Sequence, residues 1–393
     1  MGVYPKSIAL ILALVASLDY ASALRISVPA TRTNVPYMTA TVIARGKPVP
    51  AGPDPYKLVA NDLDHIKTSI KKVLSDNRGG SGALSSNEVL TMAAREFMQR
   101  KGKSFRPMLV LLIGRATDPD FSIGPRHYKL AVISEMIHTA SLIHDNVLEE
   151  GEVDTTQGTL VHQEVNVDVG NKVCILAGDF LLAKAAVELS LLDCAEVTEI
   201  VARGLESICE GGMLAYDAGQ RDGIESVPTL DEYLHITHRE ISELIGNCCQ
   251  CSAIISGHAA DSAIAQACLL FGLELGMAQQ LVAEADEMEA LLKQCRRSPR
   301  KWPRAVPLSA PLLHAADAHP QLRDMIKRGF SEAQDAASAI ALIDKSDAVR
   351  HTQELAERRA QEAAEALELL PNSATRTALV VLCHKVLAGA PLK

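Results

Sequence analysis

"HYKLAVISEMIHTASLIHDNVL", residues 127 to 148, carries apolar side chains three and four apart along its whole length, and no Gly or Pro interrupts it. That period predicts one long α-helix with an apolar stripe. The same spacing recurs in "NDLDHIKTSIKKVL" (61–74) and in "EYLHITHREISELIGNCCQCSAIIS" (232–256). Alternating β-branched runs bounded by turn residues are missing, so a sheet has little support. Breaks fall at "DNRGGSG" (76–82), "TDPDFSIGP" (117–125), "RDGIESVP" (221–228) and "RRSPRKWPRAVP" (296–307), which read as loops between long helices. No internal repeat is visible, which argues against a solenoid. Many of the helices have too narrow a polar face to lie on a surface. The expected fold is all-α, a bundle with fully buried members.

Working outward, the chain has 393 residues, 48% hydrophobic and 22% charged, as an ordinary soluble globular protein has. The net charge is −9, there is one Trp, and no basic stripe stands out, so nucleic-acid binding is not expected. Lys6 precedes the apolar run "IALILALVASL", and "ASA" at 21–23 offers a small-residue cleavage site. Eleven apolar residues are too few to span a bilayer, so residues 1–23 read as a signal peptide. Residues 24–53 carry Arg, Ser and Thr and no acid. Residues 24–54 therefore read as a transit-like, disordered segment ahead of one helical domain, 55–393. A signal followed by a transit-like segment points to a plastid; a mitochondrion or simple secretion are the alternatives. The nine cysteines are scattered through helical sequence, which suggests a reducing compartment. "CCQC" (248–251) has no second Cys/His pair at zinc spacing and reads as buried small residues.

Four stretches have residue types suited to chemistry. In "RKGKSFRPMLVLL", Lys103 and Arg106 stand three apart, as two fixed cations for a diphosphate would. In "EMIHTASLIHDNVLEEGEVD", His138, Asp145 and Glu149 fall on one helical stripe. Carboxylates so spaced can hold magnesium through oxygen; the plainer reading is a solvated acidic helix end. In "FGLELGMAQQLVAEADEMEALLK", Gly272 and Gly276 thin one side of a helix, and Glu284 and Glu287 then share a face beside Asp286. In "VGNKVCILAGDFLLAKA", Gly170 and Gly178 flank an apolar segment ending at Asp179. Each of these alone is a common helical feature.

Together and in this order, "KGKSFRPMLVLL", "EMIHTASLIHDNVLEEG", "GNKVCILAGDFLLAKA" and "LGMAQQLV" strongly resemble the trans-isoprenyl diphosphate synthases. "PLLHAADAHPQLRDMIKRGF" and "IDKSDAVRHTQELAERRAQEAAEALELLP" are most similar to the long-chain polyprenyl or solanesyl branch. The resemblance covers roughly residues 55 to 390. It implies an isoprenoid-synthase-type helical bundle around a deep apolar cavity, with two Asp-rich motifs facing each other at its mouth. It also implies Mg2+ as cofactor, prenyl diphosphate ligands, and a homodimer or a heterodimer with a related active synthase. Lys103, Arg106 and His138 match the isopentenyl diphosphate positions, and Gln280 matches one on the allylic side.

The departures are concentrated at the mouth. The first Asp-rich motif reads "DNVLE": Asp145 is kept, Asn146 is neutral, and Glu149 is a longer carboxylate. Where the family has a paired Arg-Arg-Gly, this chain has Asp154, Thr155 and Thr156. A Lys-Thr pair is replaced by Glu240 and Ile241, and a Glu and Gln by Gly212 and Ala215. The second motif holds Ala283, Glu284 and Glu287, so Asp145, Glu149, Glu284 and Glu287 form at most a degenerate metal set. A charge-assisted hydrogen bond contributes about 1.5–3 kcal/mol, and about 1.4 kcal/mol is a factor of ten in rate. Losing two arginines and reversing a lysine would then remove several orders of magnitude. The expectation is a catalytically weak or inactive subunit of a heteromeric prenyltransferase. An active magnesium-dependent enzyme and a non-catalytic prenyl-lipid binder are the alternatives.

Overall fold

The computed structural model describes residues 43–47, 49–75, 88–100, 104–145, 171–221, 224–303 and 306–389. They belong to one compact unit, Val42–Lys393. Its helices run α1 Pro55–Leu58, α2 Ala60–Ser75, α3 Glu88–Arg100, α4 Phe105–Thr117 and α5 Pro125–His144. After residues outside the description come α6 Asn171–Ser190, α7 Ala195–Gly219, α8 Leu230–Thr237 and α9 Glu243–Ile255. α10 Ala263–Cys295 is followed by α11 Ala310–Ala318, α12 Gln321–Lys327, α13 Asp335–Lys345, α14 Ala348–Ala366 and α15 Ala374–Leu387. The expected all-α class is what the structure shows. Among the described residues the extended pairing is a two-residue ribbon, Gln220–Arg221 against Ile224–Glu225. It overlaps the start of the stretch read as a loop at 221–228.

The helix read from residues 127–148 is α5, and its N-terminal limit has a physical cause. Pro125 starts it where a missing N–H costs nothing. Asp145, its C-cap, donates its N–H to the Ser141 carbonyl at 2.9 Å. Leu130, Ile133, Met136, Ile137 and Ile143 are fully buried on α5. α4 is apolar all round, from Met108 to Ile113, and lies at the centre of the bundle.

Two glycines from the motif stretches act through close approach. A Cβ on Gly272 of α10 would stand 2.7 Å from the Gly246 Cα of α9, so only glycine lets the two backbones meet. A Cβ on Gly178 of α6 would stand 2.1 Å from the His144 Nε2, so the His144 ring occupies that notch at the end of α5. There it lies 3.5 Å from the Asp179 carboxylate. Cys248, Cys249 and Cys251 of α9 are buried free thiols packed in the core. Burial holds the Cys249 and Cys251 thiols well above their ordinary range.

A second, smaller core gathers Met288 and Leu292 of α10 with Trp302, Leu312, Phe330 and Ile343. At the other end, the main core draws in a residue that precedes Pro55. Ile43 is 3% exposed within it. The earlier part of the presequence lies outside the described residues. No described helix is long and apolar enough to cross a membrane.

Candidate functional site

The acidic positions among the described residues lie on three elements, the end of α5, the turn after α8, and α10. α8 ends at Thr237 and the backbone continues through a π-helical turn, His238–Ser242, into α9. Such turns insert a residue into the helix and re-aim side chains, and they recur at functional sites. Glu240 lies on this turn. Its aliphatic stem packs over Gly211 of α7, where a Cβ would come within 2.6 Å of the Glu240 Cγ. Burial raises the Glu240 pKa, and the negative charge of Asp145 at the end of α5 raises it further.

The row continues through Tyr233 on α8. Its hydroxyl donates to the Glu284 Oε1 of α10 at 2.8 Å. Burial and the charges of Glu284 and Glu240 push the Tyr233 phenol far above its ordinary range. Glu287, exposed on α10, adds its charge to Glu284 from one turn on. Asp145, Glu240, Glu284 and Glu287 are thus one electrostatically connected row from the end of α5 to α10. Among the described residues none of the four is ion-paired with a Lys or Arg.

Glu284 has a second task. Its Oε1 also accepts from the Gln280 Nε2 at 2.8 Å, and its Oε2 accepts from the Ala310 N–H at 2.7 Å. It is 5% exposed and ties α8 and the start of α11 to α10. Burial still outweighs these three donors and holds its pKa above the ordinary value. Tyr233 and the Ala310 N–H had no signal as site groups in the sequence, because they lie 51 and 26 residues from Glu284. Gln280 and Glu284, four apart, are brought together as their spacing allows.

Arg106, in the first turn of α4, and Glu135 of α5, three residues before His138, act on each other through their charges. Burial lowers the Arg106 pKa while the Glu135 charge opposes that; burial likewise raises Glu135. The Arg106 Nε has no acceptor among the described residues. His138 is half-buried on the same helix as Glu135. Lys103 and Glu149 lie outside the described residues, as do Asn146, Asp154, Thr155 and Thr156.

Magnesium demands near-ideal octahedral oxygen coordination. No three His, Cys, Asp or Glu side chains among the described residues converge to hold a metal ion. Both oxygens of Glu284 already accept from protein donors. The described residues do not fit a complete magnesium site, and no chemical step is derived through one.

The chain matches the family model "Polyprenyl synthetase" over residues 87–343. It is 33% identical to a decaprenyl-diphosphate synthase of Dictyostelium discoideum, over 85% of this chain and 72% of that protein. It is 31% identical to a mitochondrial solanesyl-diphosphate synthase 1 of Oryza sativa subsp. japonica, over 85% of this chain and 78% of that protein. In fold it is similar to a polyprenyl synthase from Caulobacter crescentus CB15, solved with calcium and isoprenyl diphosphate. The TM-score there is 0.66 at 25% identity, covering 87% of this chain and 99% of the other. The all-α bundle is therefore of the isoprenoid-synthase type, and the chain belongs to the polyprenyl synthetase family.

Proposed function

We propose that this protein is a catalytically weak or inactive subunit of a heteromeric prenyl diphosphate synthase, serving isoprenoid side chains of the quinone type in an organelle. The observation that supports this reading is Glu284, whose two carboxylate oxygens are taken up by Tyr233, Gln280 and the Ala310 N–H. A departing diphosphate needs fixed positive charge where its own negative charge develops. Glu240 stands where the resemblance expects a lysine, and the negative charge of Asp145 acts on it.

The bundle itself is intact, with an apolar core from α2 to α15. A chain released from use accumulates core damage, since most core changes destabilise. An altered mouth on a sound bundle fits a partner subunit. The partner is expected to be a related active synthase. An organelle location fits the acid-free presequence and the mitochondrial relative named above.

The test is incorporation of labelled isopentenyl diphosphate into farnesyl diphosphate with excess magnesium. The full chain is assayed alone and then with an active homologue from the same cell. No turnover alone, with a changed rate or product length in the mixture, is the expected result. Long-chain products from the chain alone would overturn the reading. Binding of prenyl chains without any effect on a partner would assign a carrier instead.

A further inference from the structure

We propose that residues 43–47 and 49–54 are a clasp of the mature domain, anchored by Arg45, and that any leader is removed N-terminal to Ile43. The segment reaches the bundle through contacts from three helices. The Ile43 N–H donates to the Gln361 Oε1 at 2.9 Å, and the Arg45 N–H to the Glu357 Oε1 at 2.7 Å, both on α14. The Ile43 side chain is 3% exposed in the main core. The Arg45 guanidinium pairs with Asp286 of α10, between Glu284 and Glu287.

The far end is fixed as firmly. Asp54 caps α1 by accepting from the Tyr56 and Lys57 N–H groups at 3.0 and 3.1 Å. Its other oxygen pairs with Lys385 of α15. Gly52 lies so close to α15 that a Cβ there would stand 2.8 Å from the Val381 Cγ2. A chain cut at Pro55 would lose the buried Ile43, the cap of α1 and two ion pairs. It would also leave Asp286 without its cation beside the acidic row. The processing limit rests on reading residues 1–42 as a leader, whereas the clasp rests on contacts alone.

Neither catalysis nor the leader enters the first tests, so failure here is separable from failure of the proposed function. Hydrogen exchange of the full chain should show the Ile43 and Arg45 amides slowed at least about tenfold against free peptide. Exchange at the free-peptide rate would overturn the clasp. A chain starting at Pro55 should melt at least about 5 °C below one starting at Ile43. Equal melting temperatures would overturn it as well. Arg45→Ala in the full chain should speed exchange at residues 43–47, and Arg45→Lys should recover part of the protection; no change in either variant would remove Arg45 as the anchor. Finally, the chain isolated from its own cells should begin at or before Ile43. A mature terminus between residues 44 and 55 would overturn the processing limit.

Discussion

Glu284 shows how one side chain changes meaning between sequence and structure. Its spacing from Glu287 suggests a metal ligand, and its partners make it a cross-tie of α8, α10 and α11. Removing it leaves the Tyr233 hydroxyl and the Ala310 N–H buried without an acceptor, so Glu284→Ala should cost about 3 kcal/mol in urea unfolding. Its raised pKa sets a sign. The folded state holds the proton more tightly than the unfolded chain, whose value is 4.5. This group's contribution is therefore complete below that value and is lost as pH rises through the folded one. The stability of wild type relative to Glu284→Gln should fall as pH rises from about 4 to about 8. A flat difference would show that Glu284 titrates as in water. Glu240 makes the complementary case. Glu240→Lys should restore a cation beside Asp145 and tighten inorganic pyrophosphate binding by about 10- to 100-fold in calorimetry.

At the scale of elements, α9 and α10 are joined by glycine against glycine. Ala favours a helix over Gly by about 1 kcal/mol, yet at Gly272 a methyl group meets backbone atoms of α9 at 2.7 to 2.9 Å. Those atoms cannot step aside singly, so Gly272→Ala should lower stability by about 2 kcal/mol or more. At Gly212 of α7 the nearest atom is the Glu240 Oε1 at 3.9 Å, so Gly212→Ala should be neutral or slightly stabilising. Chemical denaturation of the pair separates close approach from propensity. The thinning at Gly272 was legible in the sequence as a small residue on a long apolar helix. Its partner Gly246 was not, because the crossing of two helices is set by packing rather than by either one's period. The π-helical turn at His238–Ser242 was equally hidden, since it interrupts a pattern that reads as one continuous helix from 232 to 256.

On the whole-molecule scale, α6 has apolar residues on every side, and a helix of that kind needs cover on every side. Leu176 and Val187 on it are 42% and 52% exposed, and Leu191 just beyond is 44% exposed. A second chain of the family is the cover we expect. The full chain should sediment as a dimer, and Val187→Asp with Leu191→Asp should shift it to a monomer without altering its helical content. A monomeric wild type would leave this face to another partner.

The all-α class and the order of the motifs follow from the sequence by itself, because helical period and side-chain charge are local properties. Which charged groups act on one another was decided by the tertiary structure. Asp145 and Glu240 belong to separate helical segments, yet the charge of one bears on the other, and Arg45 meets Asp286 across 241 residues. The place of residues 43–47 and 49–54 was decided in the same way. These residues have the composition of a targeting segment, and only the pockets and acceptors of α10, α14 and α15 give them a place.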